Sequence, residues 1–193
     1  MRYHNITKDD MLNGDGLRVV LWVAGCSHCC KGCHNPVTWD PDGGLLFDEK
    51  AREEIFAQLD KSYISGLTFS GGDPLHAANR LGVQKLAKEV KEKYPEKPIW
   101  LYTGALWEQI YEDPVMQYLD VVVDGEFIQA QKDNNLLWKG SKNQRVIDVQ
   151  ATLAQADPHD PVLYCKDYAA DPDQEADVRR TVYVEQVSCG CDN

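Results

Sequence analysis

No apolar run in this 193-residue chain approaches the ~20 residues that a membrane-spanning helix requires. The opening residues Met1-Arg2-Tyr3-His4-Asn5 lead into no apolar signal segment, so a cytoplasmic protein is expected, with no membrane partner. Basic residues are scarce, 20 Lys+Arg against 31 Asp+Glu, for a formal net charge of −11. Such a field repels a phosphate backbone and disfavours direct nucleic-acid binding; a small anion held by peptide N–H groups, or a partner protein, stays compatible. Internal repeats and low-complexity tracts are absent. A disulfide framework is disfavoured as well, because seven cysteines are an odd number and no secretion signal accompanies them. The composition, 43% hydrophobic and 26% charged, is that of a folded globular chain. The length fits one domain with room for an appendage.

Short β-rich runs alternate with longer helical patterns. Arg18-Val19-Val20-Leu21-Trp22-Val23 is nearly continuous in apolar residues, as suits a parallel strand covered on both faces. Asp48 is a candidate cap for a helix to about Leu59, with Ala51, Ile55 and Leu59 on one face. A strand over 64–69 runs into Ser70-Gly71-Gly72-Asp73-Pro74. A second helix covers about 79–94, with Val83, Leu86, Ala87 and Val90 as its buried stripe. Strands follow at 98–102, 120–123 and 144–149, with a helix over 106–119 broken at Asp113-Pro114. This alternation predicts an α/β fold with a mostly parallel sheet and right-handed crossovers. Four or five units are too few for a closed eight-stranded barrel, so an open, partial β/α barrel is expected. After about residue 150 the composition shifts. Asp157-Pro158, Asp160-Pro161 and Asp171-Pro172 mark turns, and 162–165 can pair with 181–187 as a hairpin around the acidic stretch 171–177. The expected organisation is one domain over 1–150 and an acidic C-terminal appendage over 151–193.

Four of the seven cysteines fall in Cys26-Ser27-His28-Cys29-Cys30-Lys31-Gly32-Cys33. Three thiolates at C-x3-C-x2-C can wrap a compact loop around a cubane iron–sulfur cluster and leave one iron open to a substrate. The loop begins where an apolar strand ends, which is where open α/β sheets bind ligands. Cys26, Cys29 and Cys33 make the reversed spacing C-x2-C-x3-C, and one of the adjacent Cys29 and Cys30 is spare. A four-cysteine zinc site is the alternative metal reading. Zinc ligands usually come from two separated pairs, and Cys165, Cys189 and Cys191 are candidates for a second pair.

C-x3-C-x2-C after a strand resembles the signature of radical S-adenosylmethionine enzymes. Further segments resemble the glycyl-radical-enzyme activases within that family. Asn13-Gly14-Asp15-Gly16-Leu17-Arg18 looks like their Gly-x-Gly-x-Arg turn. Ser70-Gly71-Gly72-Asp73-Pro74-Leu75 looks like their Gly-Gly-Glu-Pro motif, with Asp73 in place of Glu as in activators of the anaerobic ribonucleotide reductase. Segments 100–104, 123–127 and 138–145 are similar to the same subfamily, so the resemblance covers about residues 1–150 in order.

The resemblance implies a [4Fe–4S] cluster on Cys26, Cys30 and Cys33, with S-adenosyl-L-methionine chelating the fourth iron. One electron then cleaves the cofactor to methionine and a 5′-deoxyadenosyl radical, which abstracts a hydrogen atom. It implies that Gly71, Gly72 and Asp73 hold the cofactor's methionine end, and that Gly32, Cys33 and His34 lie near its adenine. Thr103 and Asp124 are expected near its carboxylate, and Asn143 within hydrogen-bonding reach. Ordinary roles stand beside these: a strand–turn–helix for Gly71-Gly72, a surface histidine for His34, capping for Thr103 and Asp124, and a turn tie for Asn143. A side chain at Gly72 is expected to clash with a ligand more than with the fold. The implied partners are the large subunit of anaerobic ribonucleoside-triphosphate reductase, which would receive a glycyl radical, and reduced flavodoxin or a similar electron donor. No catalytic side chain beyond the cluster and cofactor is implied. Alternative readings are an activase of another glycyl radical enzyme such as pyruvate formate-lyase, a small radical enzyme acting on a free metabolite, or a non-catalytic zinc-binding interaction module.

Overall fold

The computed structural model describes residues 1–164. The elements run β1 (Arg2–Asp10), β2 (Arg18–Val23), β3 (Leu45–Leu46), α1 (Glu49–Leu59), β4 (Gly66–Gly71), α2 (Arg80–Lys93), β5 (Ile99–Tyr102), α3 (Trp107–Ile110), β6 (Val121–Asp124), β7 (Arg145–Asp148) and α4 (Val149–Leu153). The strands form one sheet in the order β3-β1-β2-β4-β5-β6-β7. Pairs β2–β4, β4–β5 and β5–β6 are parallel, whereas β1–β2, β1–β3 and β6–β7 are antiparallel. The fold is α/β on a mixed seven-stranded sheet that does not close.

Alternation along the strands divides two cores. Val19, Leu21, Val23, Leu67, Phe69, Ile99 and Leu101 face α1 and α2, which contribute Ile55, Leu59, Val83, Leu86 and Val90. Each such side chain, fully buried, is worth roughly 1.5–3 kcal/mol. Asp48 caps α1 as its position predicts, accepting a hydrogen bond from Ala51 N at 3.0 Å, a contact of about 1 kcal/mol. On the opposite face Trp100, Val121 and Val123 pack with Trp138 and Tyr164.

Arg18 lies on that second face and is wholly buried. Its guanidinium donates to Thr68 Oγ1 and to the carbonyls of Asp15, Leu67 and Pro98. Burial lowers its pKa to about 10. Four acceptors from three segments replace its water, which makes it a rivet through the sheet.

The mostly parallel expectation holds only for the central strands. β1 carries one buried apolar residue, Ile6, so its period gave no strand signal; it forms because it covers the open edge of β2. β7 runs antiparallel to β6. The connection over 125–144 contains no long helix, and a parallel return needs a crossover of that kind. The expected helix over 106–119 is one short α3 and a 3-10 turn, Met116–Tyr118. Pro114 lacks the N–H a continuing helix needs and biases Asp113 away from helical geometry.

Beyond residue 150 the described chain stays on the domain. α4 runs across that position, and Val162 O and Tyr164 N bond to Asp148 N and Val146 O of β7 at 2.9 and 2.8 Å. The expected pairing with 181–187, the acidic stretch 171–177 and Cys165, Cys189 and Cys191 lie outside the described residues. Among the described residues no helix is long and apolar enough to cross a membrane.

Candidate metal centre

The carboxyl ends of β2, β4, β5 and β6 lie along one edge of the sheet, and each releases a loop there. Peptide bonds stitch the first two together: Gly72 N donates to Val23 O and Asp73 N to Gly25 O, both at 2.8 Å. Asn79, wholly buried, adds Nδ2 bonds to Ala24 O at 2.8 Å and Asp73 O at 3.0 Å. Gly25 N and Cys26 N donate to Thr38 O and Trp39 O, fixing where the cysteine run begins.

The glycines of β4's end are needed by the fold itself. Gly71 has φ +107°, and a Cβ there would lie 2.7 Å from the backbone of Trp22 and Val23. At Gly72 a Cβ would lie 2.5 Å from Gly25 O and 2.8 Å from Thr38 O. The expectation that a Gly72 side chain clashes first with a ligand is therefore corrected: it meets the cysteine loop's own backbone.

Cys26, Cys30 and Cys33 are half-buried, whereas Cys29 is exposed with φ +50°. Each half-buried sulfur faces peptide N–H groups. Burial raises the Cys26 thiol pKa, and the backbone N–H groups of His28 and Cys29 oppose that rise. Burial likewise raises Cys30, opposed by the Phe127 backbone. Asn35 N donates to Cys33 Sγ at 3.4 Å. At Cys26 and Cys30 the peptide contacts partly offset burial, which still holds the thiols above their ordinary pKa; the thiolate is the form that ligates metal. Among the described residues no three His, Cys, Asp or Glu side chains gather round a point for one metal ion. A cubane ties each thiolate to a different iron, so its ligands surround a volume and need no such point. The donor set fits a thiolate-held cluster. Gly32, with φ +77°, turns the chain between Cys30 and Cys33 against Gln129. His34 is exposed, its ring edge 6.5 Å between centroids from Phe127.

Asp73 is buried beside this loop. Its Oδ1 accepts from Leu75 N at 2.8 Å and Thr103 Oγ1 at 3.0 Å. Its Oδ2 is 2.7 Å from His28 Nε2, and His28 Nδ1 is 2.9 Å from Glu126 Oε1. The Asp73 hydrogen bond, joined by Glu126, raises the imidazole pKa to about 9 against the opposing effect of burial. His28, Glu126 and Asn79 were not singled out from sequence. Their partners lie 45, 98 and 55 residues away, and only the fold brings those segments together.

Asp124 is wholly buried and caps rather than faces the site. It accepts from Trp107 N at 2.8 Å, from Arg145 N at 3.2 Å and from the Arg145 guanidinium. Arg145 also forks onto Glu108 at 2.8 and 3.0 Å. Asn143 donates to Glu126 O at 2.8 Å, while its buried Oδ1 has no hydrogen-bond partner among the described residues. Beside the loop lies an open depression of about 480 Å³ lined by Lys31, Phe127, Ile128, Gln129 and Ala130.

Residues 12–147 match the family model of a 4Fe-4S single cluster domain. The chain is 44% identical over 146 residues to an anaerobic ribonucleoside-triphosphate reductase-activating protein of Enterobacteria phage T4, covering 76% of this chain and 93% of that one. It is 43% identical over 148 residues to the protein of the same name in Vibrio cholerae, covering 75% and 96%. With the Escherichia coli K12 protein of that name the identity is 38% over 150 residues, covering 76% and 97%. By the cysteine loop, the family model and these near end-to-end relatives, the chain belongs to the family of anaerobic ribonucleoside-triphosphate reductase-activating proteins.

Proposed function

We propose that this chain is a radical S-adenosylmethionine enzyme that places a glycyl radical on the large subunit of anaerobic ribonucleoside-triphosphate reductase. The observation that carries the reading is one constellation: three half-buried cysteines, each facing peptide N–H groups, on a loop stitched to a buried carboxylate at one sheet edge. Cys26, Cys30 and Cys33 hold a [4Fe–4S] cluster. When bound, cluster and cofactor supply a one-electron reductive cleavage that yields methionine and 5′-deoxyadenosine and leaves the radical on the target glycine.

The chain's own residues bind and orient. Asp73, held by Thr103 and Leu75 N, offers Oδ2 to the cofactor's amino group. Asn143 Oδ1, without a partner among the described residues, is a second acceptor for a polar group of the cofactor. Gly71 and Gly72 act indirectly, by letting the cysteine loop lie close upon β4. Asp124 acts from behind, fixing α3 and Arg145. The open depression at Phe127 and Ile128 gives a partner apolar footing beside the cluster loop, where closure excludes water from the radical. A glycine target suits the chemistry, having no side chain to block approach. Reduced flavodoxin or a similar protein supplies the electron, in the cytoplasm.

The test is anaerobic reconstitution followed by reductive cleavage of S-adenosylmethionine with and without the reductase. The expected result is about four irons per chain with matching sulfide, cofactor cleavage, and a glycyl radical by electron paramagnetic resonance only when the reductase is present. Zinc without sulfide, or iron without cofactor cleavage, would overturn the reading.

A further inference from the structure

His28 has no place in the functional reading, yet it sits at the centre of the site. Its ring spans two carboxylates, Asp73 at 2.7 Å and Glu126 at 2.9 Å. Gly104 makes room for it: a Cβ there would lie 2.5 Å from His28 Cδ2. The Asp73 side chain is 7% exposed and that of Glu126 is 54% exposed. One end of the histidine is thus buried on a carboxylate and the other leans toward solvent. Asp73 Oδ1 is engaged by Leu75 N and Thr103, so Oδ2 is the oxygen left for an incoming group, and His28 holds it.

We propose that His28 is an internal placeholder, occupying Asp73 Oδ2 until the amino group of S-adenosylmethionine displaces it toward Glu126. The proposal rests on the functional reading, in which Asp73 receives that amino group. Its physical basis is the cost of leaving one oxygen of a buried carboxylate, Oδ2, stripped of water and without a donor. His28 keeps Oδ2 paired while the cofactor is absent, and the exchange replaces one N–H donor by another, so Oδ2 never stands without one. Glu126, already bonded to Nδ1, retains the ring as it swings out.

A placeholder lowers the apparent affinity of the incoming ligand by the fraction of molecules in which it has moved aside. The test is equilibrium binding of S-adenosylmethionine to the anaerobically reconstituted full chain. His28→Ala is expected to bind on the order of tenfold more tightly than wild type at equal iron content. Glu126→Gln is expected to shift wild-type affinity and to leave that of the His28→Ala protein unchanged, because Glu126 acts through the ring. Equal or weaker binding by His28→Ala at full iron overturns the proposal. Should that variant lose its iron, the wild type answers through diethylpyrocarbonate modification read peptide by peptide. S-adenosylmethionine should increase labelling at His28 as Nε2 leaves Asp73, and protection of His28 overturns the proposal. Failure of wild-type reconstituted protein to bind S-adenosylmethionine at all would overturn the functional reading and this one with it. Binding with His28 protected overturns this one alone.

Discussion

Cys29 and Cys30 are adjacent in the chain and differ in environment. Cys29 projects into solvent from a left-handed backbone position, while Cys30 is half-buried against the Phe127 peptide. Serine at Cys26, Cys30 or Cys33 should therefore abolish the cluster, and Cys29→Ser should retain it, as read by iron and sulfide content after reconstitution. Full iron in Cys30→Ser with loss in Cys29→Ser would restore the reversed spacing, and full iron in Cys26→Ser or Cys33→Ser would remove both ligand sets. Asp124 makes a different kind of demand. Removing the charge of Arg145 leaves a wholly buried carboxylate held only by two peptide N–H groups. Arg145→Met should cost roughly 3 kcal/mol in urea unfolding, the low end for a broken buried pair because Arg145 is part-exposed. The same variant alters acid behaviour. Arg145 lowers the Glu108 pKa from its ordinary 4.5, so the native state releases that proton more readily than the unfolded chain. The stability this contributes is present above pH 4.5 and fades as pH falls through the lowered value. Wild type should lose stability across that acid window more steeply than Arg145→Met, measured as urea midpoints from pH 6 downward; parallel profiles would remove the ion pair from the account.

At the scale of elements, what was legible followed the strength of the period. α1 and α2 carry clean apolar stripes and formed within a residue or two of expectation, as did the three parallel strands that follow β2. β1 gave no strand signal because Ile6 is its one buried apolar residue and its pairing to β2 is interrupted twice by irregular register. The direction of β7 was misread because direction is set by the connection, and a loop carries no period. For the site, the cysteine run and Asp73 were legible as motifs, whereas His28 and Asn79 became legible only once β4 lay beside β2. The double glycine illustrates the limit best. Sequence showed that a side chain was unwelcome, and only the packing showed what it would strike. Gly71→Ala and Gly72→Ala should both lower the melting temperature of the metal-free protein, Gly71 by more because it adds left-handed strain to the 2.7 Å approach on Val23. A metal-free melting temperature equal to wild type, with weakened cofactor binding alone, would return Gly72 to the ligand.

For the whole molecule the open question is where the catalytic unit ends. A match that spans 93% of the phage relative covers only 76% of this chain, so this chain is the longer of the two. A cut after Gln150 looked natural from composition. The structure gives a reason to cut later. α4 continues to Leu153, Thr152 Oγ1 accepts from Val162 N at 2.9 Å, and Leu163 bridges Ile147 of β7. The Tyr164 ring meets Trp100 at 5.3 Å and Trp138 at 5.8 Å, closing the apolar face opposite α1 and α2. Aromatic pairs of this kind contribute about 0.5–1.5 kcal/mol each beyond their buried area. A chain ending after Tyr164 keeps all of these contacts. One ending after Gln150 loses the second half of α4, the strand addition to β7 and the cover over Trp100. Trp100 also stacks on Arg18, 5.4 Å from the ring centroid, so the damage reaches the rivet that joins β2, β4 and β5. The chain ended after Tyr164 should therefore reconstitute with the same iron per chain and cleave S-adenosylmethionine at the same basal rate as the full-length protein. The chain ended after Gln150 should unfold at lower urea and reconstitute poorly. If the chain ended after Tyr164 loses iron, or full-length protein holds about twice as much, then Cys165, Cys189 and Cys191 belong to the metal chemistry and the unit extends past 164.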